Sequence, residues 1–511
     1  MKQIFTITCV FSIFISSALA AEKTPNVLLF IVDDMGVMDS SVPSLTDGNG
    51  KAVTHPQNQL YRTPSMEKLA SQGTRFETFY ANSVCSPTRV SIMTGQSSAR
   101  HHTTQWIRSE ANNRGAQGPP EWQWKGIEKE QETLPVLLQK NGYYTIYVGK
   151  AHLGPFGAEG EFPNKIGFTK NIAGCSYGQP GSYYGIDGFG WIKGNKKRAV
   201  PDLTSYHGKD IFLTEALSQE MNVALTTAVE TKKPFFACMA YYAVHAPFQA
   251  NKKLLPNYAD KDISDKSKAF ATLIESMDNS VGEVTAHLEK LGVAEDTLIL
   301  FVGDNGTDAP LDVGKGKGRN THGVQCAAPL RGKKATHYEG GMRVPFIATW
   351  AKVNPENLFQ KKLPIKAGHI SSDIGTIHDI FPTVLESLGI DYSTVTDGIN
   401  IAPAFAGKAV YDKPREFLMH FPHAHRSSYF TAYRLGEWKI IYHYLKPADT
   451  RYELFHLPTD QSESKNLAVK DTKNLKRMFV AMQKALDKAG AQYPVERKDN
   501  SKEMRPIPPK L

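Results

Sequence analysis

Four short apolar runs, each ending in polar residues capable of chemistry, constrain this chain more than any other feature. Val27-Leu-Leu-Phe-Ile-Val32 stops at Asp33-Asp34, and Tyr143 to Val148 stops at Gly149-Lys150, with His152 two residues on. Phe235 to Val244 stops at His245-Ala246-Pro247, and Leu298 to Val302 stops at Gly303-Asp304-Asn305-Gly306. Runs of this length, apolar on both faces and followed by turn residues, suit buried parallel strands. Helical patterns lie between them, at Thr63 to Gln72, Thr133 to Lys140, Thr214 to Val229 and Phe270 to Leu291. The alternation predicts an α/β chain with a doubly wound sheet. In such folds the ligand site lies outside the carboxyl ends of the strands. Four runs would then deliver Asp, Lys, His and Asn to one edge.

The ends of the chain read differently. Lys2, an apolar run from Ile4 to Leu19 and the small residues Ala18-Leu-Ala-Ala21 form the pattern of a cleaved secretory signal over residues 1–20. No later stretch is apolar enough to cross a bilayer. The mature protein is therefore expected to be exported, periplasmic or secreted, and to have no membrane span. The net charge of +9 favours anionic partners, and export sets nucleic acid aside among them. Hydrophobic residues make up 41% of the 511, enough for a sizeable core. From about Asp397 the texture changes. Ser428 to Leu435 and Glu437 to Tyr444 read as paired strands around Gly436, and Arg451 to His456 as another. Asn474 to Ala489 reads as an amphipathic helix with Leu475, Met478, Met482 and Leu486 on one face. These patterns divide the chain into a main domain over 21–396 and a small α+β domain over 397–511, with a loosely held tail from Arg497. Besides Cys9, four cysteines remain, Cys85, Cys175, Cys238 and Cys326, too few for a disulfide scaffold. One disulfide among the last three is left open.

Asp33, Asp34, Asp304 and Asn305 would come from two strand ends. Carboxylates gathered in one pocket repel one another without a cation, and oxygen-only ligands select a hard ion, Ca²⁺ or Mg²⁺. Two unrelated polar turns are the plain alternative. Cys85-Ser-Pro-Thr-Arg89 leads into Val90 to Gly95. Pro87 suits a helix start and Gly95 its end, so Cys85 would sit at a helix N-terminus with Arg89 one turn on. A thiolate nucleophile or a buried structural cysteine fits that pattern.

Cys85-Ser-Pro-Thr-Arg89, continuing to Thr94-Gly95, resembles the signature of the formylglycine-dependent (type I) sulfatases of the alkaline-phosphatase-like superfamily. Asn26 to Gly36, Gly149-Lys-Ala-His-Leu-Gly154, Val302 to Gly306 and Lys334 to Pro345 resemble further segments of that family, in its order. Asp379 to Thr383 and Tyr452 to Leu467 match weaker features. The resemblance implies a large mixed, mostly parallel sheet sandwiched by helices, with a smaller C-terminal α+β domain on an antiparallel sheet. It implies that Cys85 is oxidised by a formylglycine-generating maturation enzyme, and that the aldehyde hydrate is the nucleophile. His152 would act as base. Asp33, Asp34, Asp304, Asn305 and residue 85 would hold one Ca²⁺. Arg89 would bind the hydrate, Lys150 and Lys334 would neutralise sulfate oxygens, and His245 would serve the leaving oxygen.

The implied substrate is a sulfated carbohydrate, with carrageenan leading and another algal galactan or a glycosaminoglycan as runner-up. A phosphonate or phosphodiester hydrolase and a non-catalytic polyanion-binding protein are the rival readings. Aromatics between Trp106 and Trp191 could stack on sugars, and two basic segments, Lys193 to Arg198 and Lys315 to Arg319, could pair with neighbouring sulfates. His423 and Arg426, from the run His420-Phe-Pro-His-Ala-His-Arg426, are expected to complete the pocket.

Overall fold

The computed structural model of the chain describes residues 24–311 and 326–509. Residues 1–20, where a signal sequence is expected, with Cys9, and the basic segment Lys315 to Arg319 lie outside the described residues. The largest element is an eight-stranded sheet of β1 (Asn26–Val32), β2 (Thr74–Tyr80), β3 (Tyr144–Gly149), β4 (Lys170–Ile172), β5 (Phe235–Ala240), β6 (Thr297–Gly303), β7 (Phe346–Trp350) and β8 (His369–Thr376). Its order is β4-β3-β5-β1-β6-β7-β2-β8. All pairs are parallel except the two made by β7, which runs antiparallel to β6 and β2. The α/β expectation holds, and the sheet is mixed, mostly parallel, as the resemblance implied.

The apolar runs are buried on both faces because successive side chains alternate across the sheet. Leu28, Phe30 and Val32 join one core with the helices Leu213–Glu230 and Asp265–Lys290. Val27, Leu29 and Ile31 join the opposite core with the helices Cys85–Thr94, Leu134–Lys140 and Ile380–Ser387. The apolar run from Phe235 to Val244 is strand only to Ala240. Its remainder follows β1 as an extended loop, with Tyr241 N–H donating to Ile31 O and Val244 N–H to Asp33 O.

A second, antiparallel sheet of four strands has the order β12-β11-β10-β9, from β9 (Glu416–Phe421), β10 (Phe430–Leu435), β11 (Trp438–His443) and β12 (Tyr452–His456). One face, with Tyr433, Ile440 and Leu454, packs on Leu475, Met478, Met482 and Leu486 of the helix Thr472–Ala489. The other face, with Met419, Phe430 and Ile441, packs on Tyr80, Val84 and Met342 of the main body. The tail is more ordered than its composition suggested. Asp499–Glu503 pairs with Val495–Glu496, and Ile507 N–H donates to Tyr442 Oη. Cys85, Cys175, Cys238 and Cys326 are all buried, and none of the last three forms a disulfide with another.

Phe346 on β7 stacks on Phe79 at 4.1 Å and meets Phe76 edge-on at 5.4 Å. Both rings lie on β2, so Phe346 fastens the antiparallel strand to that neighbour. Phe346→Ala is expected to cost about 3–5 kcal/mol of stability, read as a lowered urea midpoint with an unchanged slope.

Candidate active site

Strand register builds the centre. β1 and β6 pair with Val32 opposite Gly303, so Asp33-Asp34 and Asp304-Asn305 leave the same edge side by side. β3 and β5 pair with Gly149 opposite Ala240, which brings Lys150 to that edge as well. Lys150 Nζ lies 2.6 Å from Asp33 Oδ2, and Arg89 Nε lies 2.8 Å from Asp304 Oδ2, all four side chains fully buried. Lys334 Nζ lies 2.6 Å from Asp34 Oδ1. Asn305 Nδ2 also donates to Asp34 Oδ1 at 2.9 Å.

Those pairs leave buried oxygens over. Asp33 Oδ1, Asp34 Oδ2 and Asn305 Oδ1 have no hydrogen-bond partner. Asp33, Asp34 and Asp304 each offer an oxygen within 4.8 Å of the others'. Buried acceptors without donors are costly, and a hard cation would satisfy all of them at once. The donor set therefore fits a divalent cation. Burial pushes the carboxyl of Asp33 up to about 6 against the pull of Lys150. Burial and the charge of Asp33 push Asp304 up to about 6 against Arg89. Burial opposes ionisation of Asp34 too, yet Lys334, with His245 and Lys150 behind it, holds that carboxyl well below the usual range.

Cys85 is the first residue of the helix Cys85–Thr94, which ends at Gly95 in the left-handed conformation. Its Sγ lies 3.2 Å from His152 Nδ1. The other ring nitrogen, Nε2, lies 2.6 Å from Ile107 O. A carbonyl only accepts, so Nε2 carries the proton and the Nδ1 lone pair faces residue 85. Burial first, then Lys150, keeps His152 well below the ordinary histidine value, which preserves that lone pair. The ring fits because position 178 is glycine: a Cβ there would come within 2.7 Å of His152 Cε1. Arg89 Nη1 donates to Lys150 O, while Nη2 is left without a partner.

These groups border a cavity of about 460 Å³ lined by Cys85, His152, His245 and Lys334, with Trp106, Arg198, Asp308, His425 and Arg426 on its walls. His245 Nδ1 lies 2.8 Å from Ala246 O and so holds the proton, leaving Nε2 3.6 Å from Asp34 Oδ2. Burial, then Lys334, brings its value to about 3. The backbone around it is held by Tyr183, whose hydroxyl reaches both Tyr242 O and His245 O.

Several expected residues stand elsewhere. Lys150 and Arg89 are not on the cavity wall; each is spent on a carboxylate, because two buried acids need buried cations. His423 is also absent from the wall. It is fully buried, with Nε2 at 2.7 Å from Thr104 Oγ1 and Nδ1 at 3.0 Å from Arg114 O. His425, two residues on, takes the place expected of it, beside Arg426. Arg426 is tied to Asp308 by both carboxylate oxygens. Asp308 and His425 were missed. Asp308 lies in the loop after β6, where no periodicity marks it. Of the aromatics, Trp106 lines the cavity, Trp122, Tyr183 and Phe189 are core, and Tyr177 lies under the Arg198 guanidinium at 5.5 Å. Lys196 and Lys197 are exposed.

The family model described as Sulfatase matches residues 25–390. The chain belongs to the sulfatase family. The enzyme is accordingly a sulfuric ester hydrolase. It is 28% identical to the N-acetylgalactosamine-6-sulfatase of Mus musculus over 83% of this chain and 72% of that protein. It is 26% identical to a sulfatase of Formosa agariphila over 91% and 90%. The crystal structure of Ps i-CgsB in complex with k-i-k-neocarrahexaose matches this sulfatase with a TM-score of 0.69 and 25% identity, over 91% of this chain and 93% of that one.

A carboxyl raised on folding keeps its proton in the native state where the unfolded chain has lost it. Stability from Asp33 and Asp304 is thus complete below the ordinary carboxylate value and is lost as pH rises through about 6. A cation at the orphaned oxygens needs ionised carboxylates and acts in the opposite sense. The rise in Tm on adding a divalent cation to chelator-treated sulfatase is expected to be small near about pH 5 and full by about pH 7. Differential scanning calorimetry checks this; a gain independent of pH would place the ion elsewhere.

Proposed function

We propose that this sulfatase is exported and removes sulfate from a sulfated polysaccharide or its oligosaccharides, with formylglycine at position 85 and one Ca²⁺. The observation that carries the chemistry is the His152 lone pair facing Cys85 beside three orphaned oxygens. Oxidised to formylglycine, residue 85 supplies a hydrate whose first hydroxyl attacks sulfur and whose second gives a route for releasing sulfate. Ca²⁺ held by Asp33, Asp34, Asp304 and Asn305 would draw charge from a sulfate oxygen and from the nucleophile.

The chain's own residues do the rest. His152 Nδ1 takes a proton from residue 85. Lys334, at the cavity edge, sets a positive charge beside the transferring group. Lys150 and Arg89, behind the carboxylates, fix which oxygens point forward. His245 Nε2 faces the cavity and Asp34, placed to bond the ester or leaving oxygen. Arg198, Arg426 and His425 on the walls favour a substrate with further anionic groups. Trp106 offers a ring for stacking on a sugar. Carrageenan leads as substrate because the likeness to Ps i-CgsB, solved with a neocarrahexaose, spans nearly both chains. A glycosaminoglycan is the second reading, favoured by the 28% identity to the murine N-acetylgalactosamine-6-sulfatase.

The peptide containing residue 85 from active enzyme should be about 18 Da lighter than its thiol form, from loss of –SH and gain of =O. Full activity with an intact thiol overturns the assignment. Sulfate release from carrageenan and glycosaminoglycan oligosaccharides, measured by ion chromatography, ranks the two substrates.

Arg198→Ser should raise KM several-fold on oligosaccharides and flatten its salt dependence, because ions screen such contacts. A small aryl sulfate, which reaches only the centre, should be hydrolysed nearly as before. Equal loss on both substrates would mean that Arg198, which also pairs with Glu110, supports the fold.

A further inference from the structure

A second cluster of ligating side chains lies away from the carboxylates. His337 follows Lys334 by three residues, His443 ends β11 and Glu453 lies on β12. His443 Nε2 is 2.7 Å from Glu453 Oε1, and His337 Nε2 is 3.7 Å from the same oxygen. One ligand atom from each lies within 4.8 Å of the other two. For a tetrahedral ion with bonds near 2.1 Å, ligand atoms stand roughly 3.4 Å apart, and the two measured separations straddle that value.

The second observation is the state of His337. It is buried, and neither ring nitrogen has a hydrogen-bond partner. A buried imidazole with both nitrogens unpaired is costly, and a metal bond at Nε2 removes half of that cost. The surroundings suit an ion as well. Tyr338 Oη donates to Glu453 Oε2 at 3.0 Å and lies 3.3 Å from Oε1, and Arg331 approaches Oε2 at 3.8 Å. These outer contacts, stronger at Oε2, hold the carboxylate with Oε1 toward the two histidines. One group competes for the space: Lys446 Nζ lies 3.1 Å from His443 Nε2 and 3.7 Å from Glu453 Oε1. Its side chain is 46% exposed, so it can swing into solvent when an ion enters.

We propose that His337, His443 and Glu453 form a site for a borderline divalent transition ion of the zinc class, which ties the Lys334 segment to the C-terminal sheet. Two imidazoles and one carboxylate select such an ion, whereas the oxygen-only centre selects a hard one. The two sites therefore differ in ligand chemistry, and Ca²⁺ can fill one without filling the other.

The test uses the full mature chain without a histidine tag, stripped with chelator and returned to saturating Ca²⁺. Co²⁺ is added and the visible spectrum recorded. One equivalent should give a nitrogen-ligated band that Zn²⁺ abolishes, and Zn²⁺ should raise Tm. His443→Gln should weaken the ion at least about tenfold, and Lys446→Met should tighten it by removing the competing ammonium. Should His443→Gln fail to fold, the wild-type spectrum and the half-exposed Lys446→Met decide. Absence of the band in both proteins overturns the proposal and leaves Lys446 as the permanent occupant. So does a band unchanged in His337→Gln and His443→Gln.

Discussion

Three buried carboxylates share the carboxyl end of one parallel sheet, and the site depends on how their charge is balanced. Arg89, Lys150 and Lys334 each take one oxygen of one acid. Buried pairs of this kind add little net stability, but removing one partner costs about 3–5 kcal/mol because a bare charge remains. Their larger effect is directional. A carboxylate held by one oxygen must aim the other somewhere, and for Asp33 and Asp34 that second oxygen is left without a donor. The cations thus turn mutual repulsion into a fixed set of free acceptors. The backbone contributes strain for the same purpose. Asp34, His152 and Ala335 all have positive φ, a conformation costing non-glycine residues about 1–3 kcal/mol each.

Sheet order explains why these groups meet at all. β3, β5, β1 and β6 are successive parallel neighbours, so four strand ends open on one edge. β7 then reverses direction, and the Lys334 segment reaches the site through the chain between β6 and β7. Each strand end contributes one or two residues, and none supplies a complete site alone.

This part was legible because strands buried on both faces are written as unbroken apolar runs, so the polar residues that close each run stand out. β8, with the sequence His369-Ile-Ser-Ser-Asp-Ile-Gly-Thr376, was not legible. It is an edge strand paired only with β2 and partly exposed, so no run marks it. β4 has only three residues. Candidate roles for Cys85, His152 and Lys334 came from motif resemblance, and the structure adds what motifs omit: which nitrogen of His152 faces residue 85, and that Lys150 serves Asp33. The choice of His423 over His425 turned on one irregular loop. There, no periodicity says which side chain points inward, and only the bonds to Thr104 and Arg114 reveal that His423 is core.

The C-terminal sheet is part of the same construction, because the backbone of two adjacent residues gathers three walls of the cavity. Ala335 N–H donates to Ser83 O, two residues before Cys85, and Ser427 N–H, one residue after Arg426, donates to Ala335 O. Lys334 N–H donates in turn to Thr307 O, beside Asp308. Residues 334 and 335 therefore fix the Cys85 segment, the Asp308 turn and the His425-Arg426 loop relative to one another. Farther along, Glu339 accepts from Tyr80 Oη of β2 at 2.6 Å and from Lys439 Nζ of β11 at 3.0 Å, all buried. A second sheet docked this way does more than cover apolar surface. It carries two cavity residues and, through Glu339 and Ala335, holds in place the segment that brings Lys334 to Asp34. A disturbance at β11 thus has a short, fully bonded route to the lysine that pairs with Asp34.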